Sequence, residues 1–195
     1  MEFIKQEPSF SIVDLQSEDE ATIHQVATVL AEGFAVNWPE AWPDVESAVE
    51  EVRESFGEDR ISRVALADDN SVLGWIGGRS TYSGHVWELH PLVVRVSAQG
   101  RGIGRALVED FETCVKERGG LTILLGSDDE NHQTTLSEIN LFSNVYQQVA
   151  HIRNLKRHPY EFYQKLGYVI VGVIPDANGL GKPDILMAKS MVRSR

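Results

Sequence analysis

Gln99-Gly100-Arg101-Gly102-Ile103-Gly104 follows an apolar run, Trp87 to Val94, and opens a segment whose Ile103, Leu107, Phe111 and Cys114 recur at helical spacing. The glycines remove Cβ atoms that would hold the backbone away from a phosphate, and the free N–H groups and positive end of a helix point at it. A phosphate-bearing ligand is the expectation; the plainer alternative is a glycine-rich turn between strand and helix. Within the apolar run, Glu88, His90 and Leu92 alternate at strand spacing and are expected on one face, and Pro91 cannot donate to a ladder. A bulge or splay there, away from a parallel neighbour at Leu121 to Leu125, would free N–H and C=O groups for an extended ligand. The alternative is an ordinary edge strand bulged at its proline.

Two phosphate-binding patterns are excluded. The mononucleotide loop needs Gly-Lys-Ser/Thr, and here Gly104 is followed by Arg105-Ala106. The dinucleotide fingerprint needs glycines at the first, third and sixth positions, whereas these fall second, fourth and sixth in mid-chain.

The 195 residues suffice for one domain with a sizeable core. A net charge of -11 argues against a nucleic acid or an anionic membrane held through a broad basic surface, and suits a cationic partner or plain solubility. The single Cys114 has no disulfide partner within the chain and lies on an apolar helix stripe, as a core thiol would. Residues 1–10 lack a basic, apolar leader and read as an N-terminal extension; no stretch is long enough to span a bilayer, so the expected location is cytoplasmic.

The elements that must position these groups follow from periodicity. Ser11 to Leu15 reads as a strand, and Ser17 with Glu20 as a capping box before a helix burying Ile23, Val26, Ala27, Leu30 and Phe34. A second helix starts near Pro43-Asp44, buries Val45, Ala48, Val49, Val52 and Phe56, and stops at Gly57. Strands at Ile61 to Ala67, Val72 to Tyr82 and His85 to Val94 form an antiparallel meander. After the glycine-led helix, Leu121 to Leu125 reads as a fully buried strand, one further helix ends at Gly167, and strands at Val169 to Ile174 and Asp184 to Ala188 close the chain. Asp176 to Gly179 is the expected turn between them. This order describes an α/β (α+β) domain with a mixed sheet.

Gln99, Gly102 and Gly104 match Gln/Arg-x-x-Gly-x-Gly/Ala, which resembles the acetyl-CoA pyrophosphate loop of the GNAT acyltransferases. Gly84-His85-Val86-Trp87-Glu88-Leu89-His90-Pro91-Leu92-Val93-Val94, Gly119-Gly120-Leu121-Thr122, Leu125-Gly126-Ser127-Asp128-Asp129 and His158-Pro159-Tyr160-Glu161-Phe162-Tyr163-Gln164-Lys165-Leu166-Gly167-Tyr168 are similar to the enterococcal-type aminoglycoside 6'-N-acetyltransferases. Ile170 to Val173, Asn178-Gly179 and Lys182 to Ile185 extend the resemblance, and Trp38-Pro39-Glu40 fits it more loosely. The resemblance implies a GNAT fold over 11–192 as a single domain. Its central sheet would be mixed, mostly antiparallel, flanked by helices and splayed between its fourth and fifth strands.

It further implies acetyl-CoA as co-substrate, with pantetheine along Val93 and Val94, pyrophosphate on Gln99, Gly100, Arg101, Gly102, Ile103, Gly104 and Arg105, and no metal. The implied reaction is acetyl transfer to a small cationic amine, foremost the 6'-amino group of an aminoglycoside. Another amine (a polyamine, a small basic protein or a peptide N-terminus) and a non-catalytic acyl-CoA-binding module are the alternatives. The amine must lose a proton, the oxyanion needs a donor and the leaving thiolate benefits from an acid. Glu88 is the candidate for holding the amine and taking its proton, with His90 the competing base and the Leu92 amide the oxyanion donor. Resemblance assigns Tyr163 as general acid. Each also has a structural reading: a solvent-facing glutamate, a satisfied histidine, a core tyrosine. Trp38, Glu40, Asp128 and Asp129 are candidate substrate contacts, with Trp42 a second stacking wall. A homodimer is implied by resemblance alone.

Overall fold

Asp19, rather than Ser17, caps the first helix: its carboxylate accepts the Thr22 N–H at 3.1 Å and the Thr22 hydroxyl at 2.7 Å, while Ser17 bonds its neighbour Glu18. In this computed structural model, which describes residues 9–193, the helix α1 so begun spans Glu20–Phe34. Of the expected extension, residues 1–8 lie outside the described residues, and Phe10 already opens strand β1, Phe10–Asp14. Helix α2, Val45–Glu54, starts where Asp44 accepts the Ser47 N–H at 2.8 Å; it ends at Ser55, two residues before the expected glycine. The described residues form two compact units, one through Gly120 and one from Leu121.

In the first unit, β1 pairs antiparallel with β2, Arg60–Ala67, which pairs with β3, Val72–Thr81, which pairs with β4, Val86–Val94. This is the expected meander, with ends shifted by a residue. Ile23, Val26, Ala27 and Leu30 of α1 and Ala48 and Val52 of α2 are fully buried in one core with Trp42, Val64, Trp75 and Val93. Burial of the Ile, Val and Leu side chains among these contributes roughly 1.5–3 kcal/mol each. The opposite face is covered by α3, Ile103–Glu117, whose Ile103, Leu107, Phe111 and Val115 are buried. Cys114 is half-buried beside Asp110, and burial raises its thiol pKa, as suits a packed thiol. Arg63 ties β2 to both neighbours, meeting Asp110 of α3 at 2.7 Å and Asp14 of β1 at 2.6 Å.

In the second unit, β5, Thr122–Asp128, pairs antiparallel with β7, Asp184–Ser190, and β7 with β6, Val169–Ile174. The expected fully buried strand at Leu121 to Leu125 is corrected here: β5 alternates, with Ile123, Leu125 and Ser127 buried and Leu121 and Gly126 exposed. Two helices stand where one was expected, α4 at Val145–Ala150 and α5 at Tyr160–Lys165. The expected one is α5, which stops just before Gly167; α4, the unexpected one, has only six residues, under two turns, too few for an apolar stripe to repeat. The β6–β7 connection closes as expected, with the Asn178 N–H donating to Lys182 O at 3.0 Å. Among the described residues no helix is long and apolar enough to cross a membrane, and no group of three or more His, Cys, Asp or Glu side chains is arranged to hold a metal ion.

Candidate active site

The register of β3 against β4 shifts once. Ile76 faces Leu92 and Gly78 faces Leu89, so Gly77 lies opposite two residues, His90 and Pro91, whose shared peptide is cis. The extra residue is a β-bulge, located against β3, whereas the sequence pointed to the other side of the strand. A one-residue insertion turns every later side chain to the opposite face. Glu88 lies across from Arg79 and, with His90, lines a cleft below Glu51 and Glu54 of α2. Beyond the bulge, Val93 takes that same face and packs on α1, so close that a Cβ on Gly33 would lie 2.5 Å from its Cγ2. Leu92, opposite Ile76, turns toward the α3 side. Glu88, His90 and Leu92 therefore do not share one face, which corrects the sequence expectation.

The Leu92 backbone is oriented by the same ladder. The Arg95 N–H donates to Leu73 O at 2.8 Å, making 73 and 95 a hydrogen-bonded pair. Such pairs alternate in antiparallel strands, so Trp75 and Val93 form the next one, while Leu92 and Val94 direct their N–H and C=O groups away from β3. Val94 O accepts the Gln99 side-chain amide at 3.2 Å.

The loop after β4 has the predicted form. Gly100 and Gly102 sit at φ 76° and 84°, in the left-handed region, and a Cβ at either would meet nothing within 4 Å. Gly102 is the N-cap of α3 and no side chain caps this helix; its first internal bond runs from Ala106 N to Gly102 O at 3.0 Å. The Ile103, Gly104 and Arg105 N–H groups thus precede the helical ladder and carry its positive end. Open space, backbone donors and the exposed Arg101 and Arg105 fit a diphosphate. Arg105 also stands 3.5 Å from Glu109 one turn on.

The cleft holds about 250 Å³ and is lined by Glu51, Glu54, Ser55, Arg60, Gly78, Arg79, Glu88 and His90. Arg79 Nε bonds Glu88 Oε2 at 2.6 Å, and His90 Nε2 stands 4.0 Å from Glu51 Oε1. The His90 ring also lies against Trp42, with centroids 6.0 Å apart. Sequence reasoning missed Glu51, Glu54 and Arg79. The Arg79–Glu88 pair was legible in principle, since both flank the Tyr82 to Gly84 turn at matched hairpin positions, but α2 gave no sequence sign of which strand it covers.

Other expected substrate contacts are placed differently. Asp129 is fully buried and accepts the Gln133 N–H at 2.6 Å, the Thr134 N–H at 2.8 Å, the Thr134 hydroxyl at 2.7 Å and the Ser137 hydroxyl. Burial alone would raise its pKa, but these four donors outweigh it and lower the value. Asp129 is thus the organiser of its own loop rather than a substrate contact. Asp128, half-buried, accepts the Asn178 amide. Trp42 is a core residue, 9% exposed and edge-on to Phe34, not a free stacking wall. Trp38 is half-buried against Phe34, and Glu40 is exposed. Tyr163 of α5 is buried beside Phe162 and Tyr168, and burial pushes its phenol pKa well above the ordinary value.

A family model described as the acetyltransferase (GNAT) family matches residues 23–136. Among solved structures, an aminoglycoside 6'-N-acetyltransferase complexed with coenzyme A shares 43% identity over 95% of this chain and 99% of that one, with a TM-score of 0.86. The aminoglycoside 6'-N-acetyltransferase from Enterococcus faecium shares 43% over the same proportions, with a TM-score of 0.84. An aminoglycoside 6'-acetyltransferase type Ii shares 37%, again over 95% and 99%, with a TM-score of 0.71. Comparison with the curated proteins gave no match.

Proposed function

Since this chain belongs to the GNAT acetyltransferase family, we propose that it moves the acetyl group of acetyl-CoA to a primary amine, the 6'-amino group of an aminoglycoside. The observation that carries this reading is the double use of β4. Its Glu88–His90 stretch lines an acidic cleft, and its far end leads directly into the open, uncapped glycine loop. The identity to aminoglycoside 6'-N-acetyltransferases over 95% of the chain supports the choice of amine. We take 11–192 as one catalytic domain and the active form as a homodimer, which sedimentation would read directly.

The residues then divide the work. The amides of Gly100 to Arg105 hold the diphosphate, with Arg101 and Arg105 adding charge, while the outward backbone groups of Leu92 and Val94 and the strand at Val93 guide the thiol arm. Bound there, acetyl-CoA supplies an activated acyl carbon. The Leu92 N–H, directed away from β3, is the donor for the acyl oxygen as it gains charge. Glu88 attracts the ammonium, and Glu88 or His90 takes the proton it sheds. The N–C bond forms as the C–S bond breaks, and the leaving thiolate takes a proton from Tyr163, the acid that the resemblance implies; a phenol carries its proton at neutral pH without any shift. Glu40, Trp38 and Asp128 remain proposed contacts for the rest of the antibiotic.

Release of free thiol from acetyl-CoA tests the proposal, with a kanamycin-type aminoglycoside, a polyamine and a lysine-rich protein as acceptors. Thiol release with the aminoglycoside, and a product acetylated at the 6'-nitrogen, is the expected result. Release only with another acceptor would overturn the substrate, and CoA binding without any release would overturn the activity.

A further inference from the structure

Arg79 stands in a place that the amine reading reserves for substrate. It faces Glu88 directly across the β3–β4 ladder, and its Nε lies 2.6 Å from the Glu88 carboxylate, with both side chains lining the cleft. On its other side Arg79 faces Arg60 of β2 in direct register, and Arg60 is already engaged by Asp59 at 3.0 Å and by Glu54 O at 3.1 Å. Like charges directly opposite repel, so Arg79 is driven toward Glu88 from one side and drawn to it from the other.

Resting on the acetyl-transfer reading above, we propose that Arg79 is a specificity-determining residue: its guanidinium is an internal stand-in for the substrate ammonium on Glu88. An incoming amine must replace it. The exchange is feasible because Arg79 is more than half exposed and Glu51 and Glu54 on α2 line the same cleft, offering the released guanidinium another carboxylate. The cleft then carries three carboxylates against two guanidinium groups, so a cationic acceptor enters without leaving net positive charge behind. Because an exposed ion pair is weak, Arg79 sets a low threshold that a cationic amine crosses and a neutral, uncharged polar molecule does not.

The test compares wild type, Arg79→Gln and Arg79→Lys by steady-state kinetics with the aminoglycoside and by calorimetric titration of that amine into the CoA-bound protein. For Arg79→Gln the amine KM and Kd fall about two- to five-fold, the range that an exposed ion pair supports, whereas Arg79→Lys restores values near wild type. A KM and Kd that rise or stay unchanged in Arg79→Gln, with wild type turning over the amine normally, would overturn the inference alone. Failure of wild type to acetylate any amine would instead remove the reading beneath it.

Discussion

Gly77 of β3 lies so close to His90 of β4 that a Cβ on the glycine would stand 2.7 Å from the His90 carbonyl oxygen and 3.4 Å from Pro91 Cδ. Backbone cannot yield as a side-chain tip can, so glycine here permits the bulge that separates the cleft-lining Glu88 and His90 from the outward Leu92 amide. Gly77→Ala is expected to cost about 1–3 kcal/mol, the usual range for overpacking. Thermal unfolding reads that loss, and kcat should fall with it as the Leu92 N–H moves.

At the other end of β4, Gly102→Val places a branched side chain at φ 84° in space that is open for ligand. CoA affinity measured by calorimetry should fall at least about tenfold, equivalent to about 1.4 kcal/mol. Unchanged affinity would show that the diphosphate is held elsewhere.

The cleft and the proton donor separate kinetically. Glu88→Gln should raise the amine KM while CoA still binds, since the carboxylate lies in the cleft and not in the glycine loop. Tyr163→Phe should lower kcat by about 10² to 10⁴, the usual worth of general acid catalysis, and leave measurable turnover because positioning persists. An unaltered kcat in Tyr163→Phe would remove the acid role.

Stability should decline on acidification in two stages. His158 is buried; its Nδ1 accepts the Tyr160 N–H at 3.2 Å, so Nε2 carries the proton that it donates to Asp128 O at 3.1 Å. Burial, the largest influence, lowers its pKa below the ordinary 6.5, against the pull of Asp128 O and the Asp129 and Asp128 charges. The unfolded chain therefore binds this proton more readily, and the His158 contribution is complete above about 6.5 and lost as pH falls below it. Asp129, with its lowered pKa, contributes fully above 3.8 and is lost as pH falls through its folded value. Denaturant unfolding across pH checks this: His158→Gln should lack the first stage. Asp129→Ala should shrink the second, to which the capping Asp19 and Asp44 also contribute through their lowered pKa values, and lose about 1–3 kcal/mol for each buried N–H left unpaired.

Much of this was legible in the chain because it depends on local rules. The glycine-led start of α3, the amphipathic stripe of α1 and the meander from β2 to β4 each follow from spacing that a few residues determine. Ser17 misled because a capping box needs only two residue types, and Asp19 offered a better-placed carboxylate two positions later. The face of Leu92 was not legible: proline announces a disturbed ladder, but which neighbour the extra residue bulges against depends on Gly77, thirteen residues upstream in another strand. Asp129 read as a substrate ligand because an acidic loop after a strand looks alike whether it faces solvent or folds inward onto its own N–H groups.

A crystal structure with bound coenzyme A is the most direct measurement. The account predicts the diphosphate within hydrogen-bonding distance of the Gly100 to Arg105 amides at the start of α3, with the thiol end beside the Leu92 N–H. A diphosphate bound away from that helix end, or a thiol far from Leu92, would contradict it.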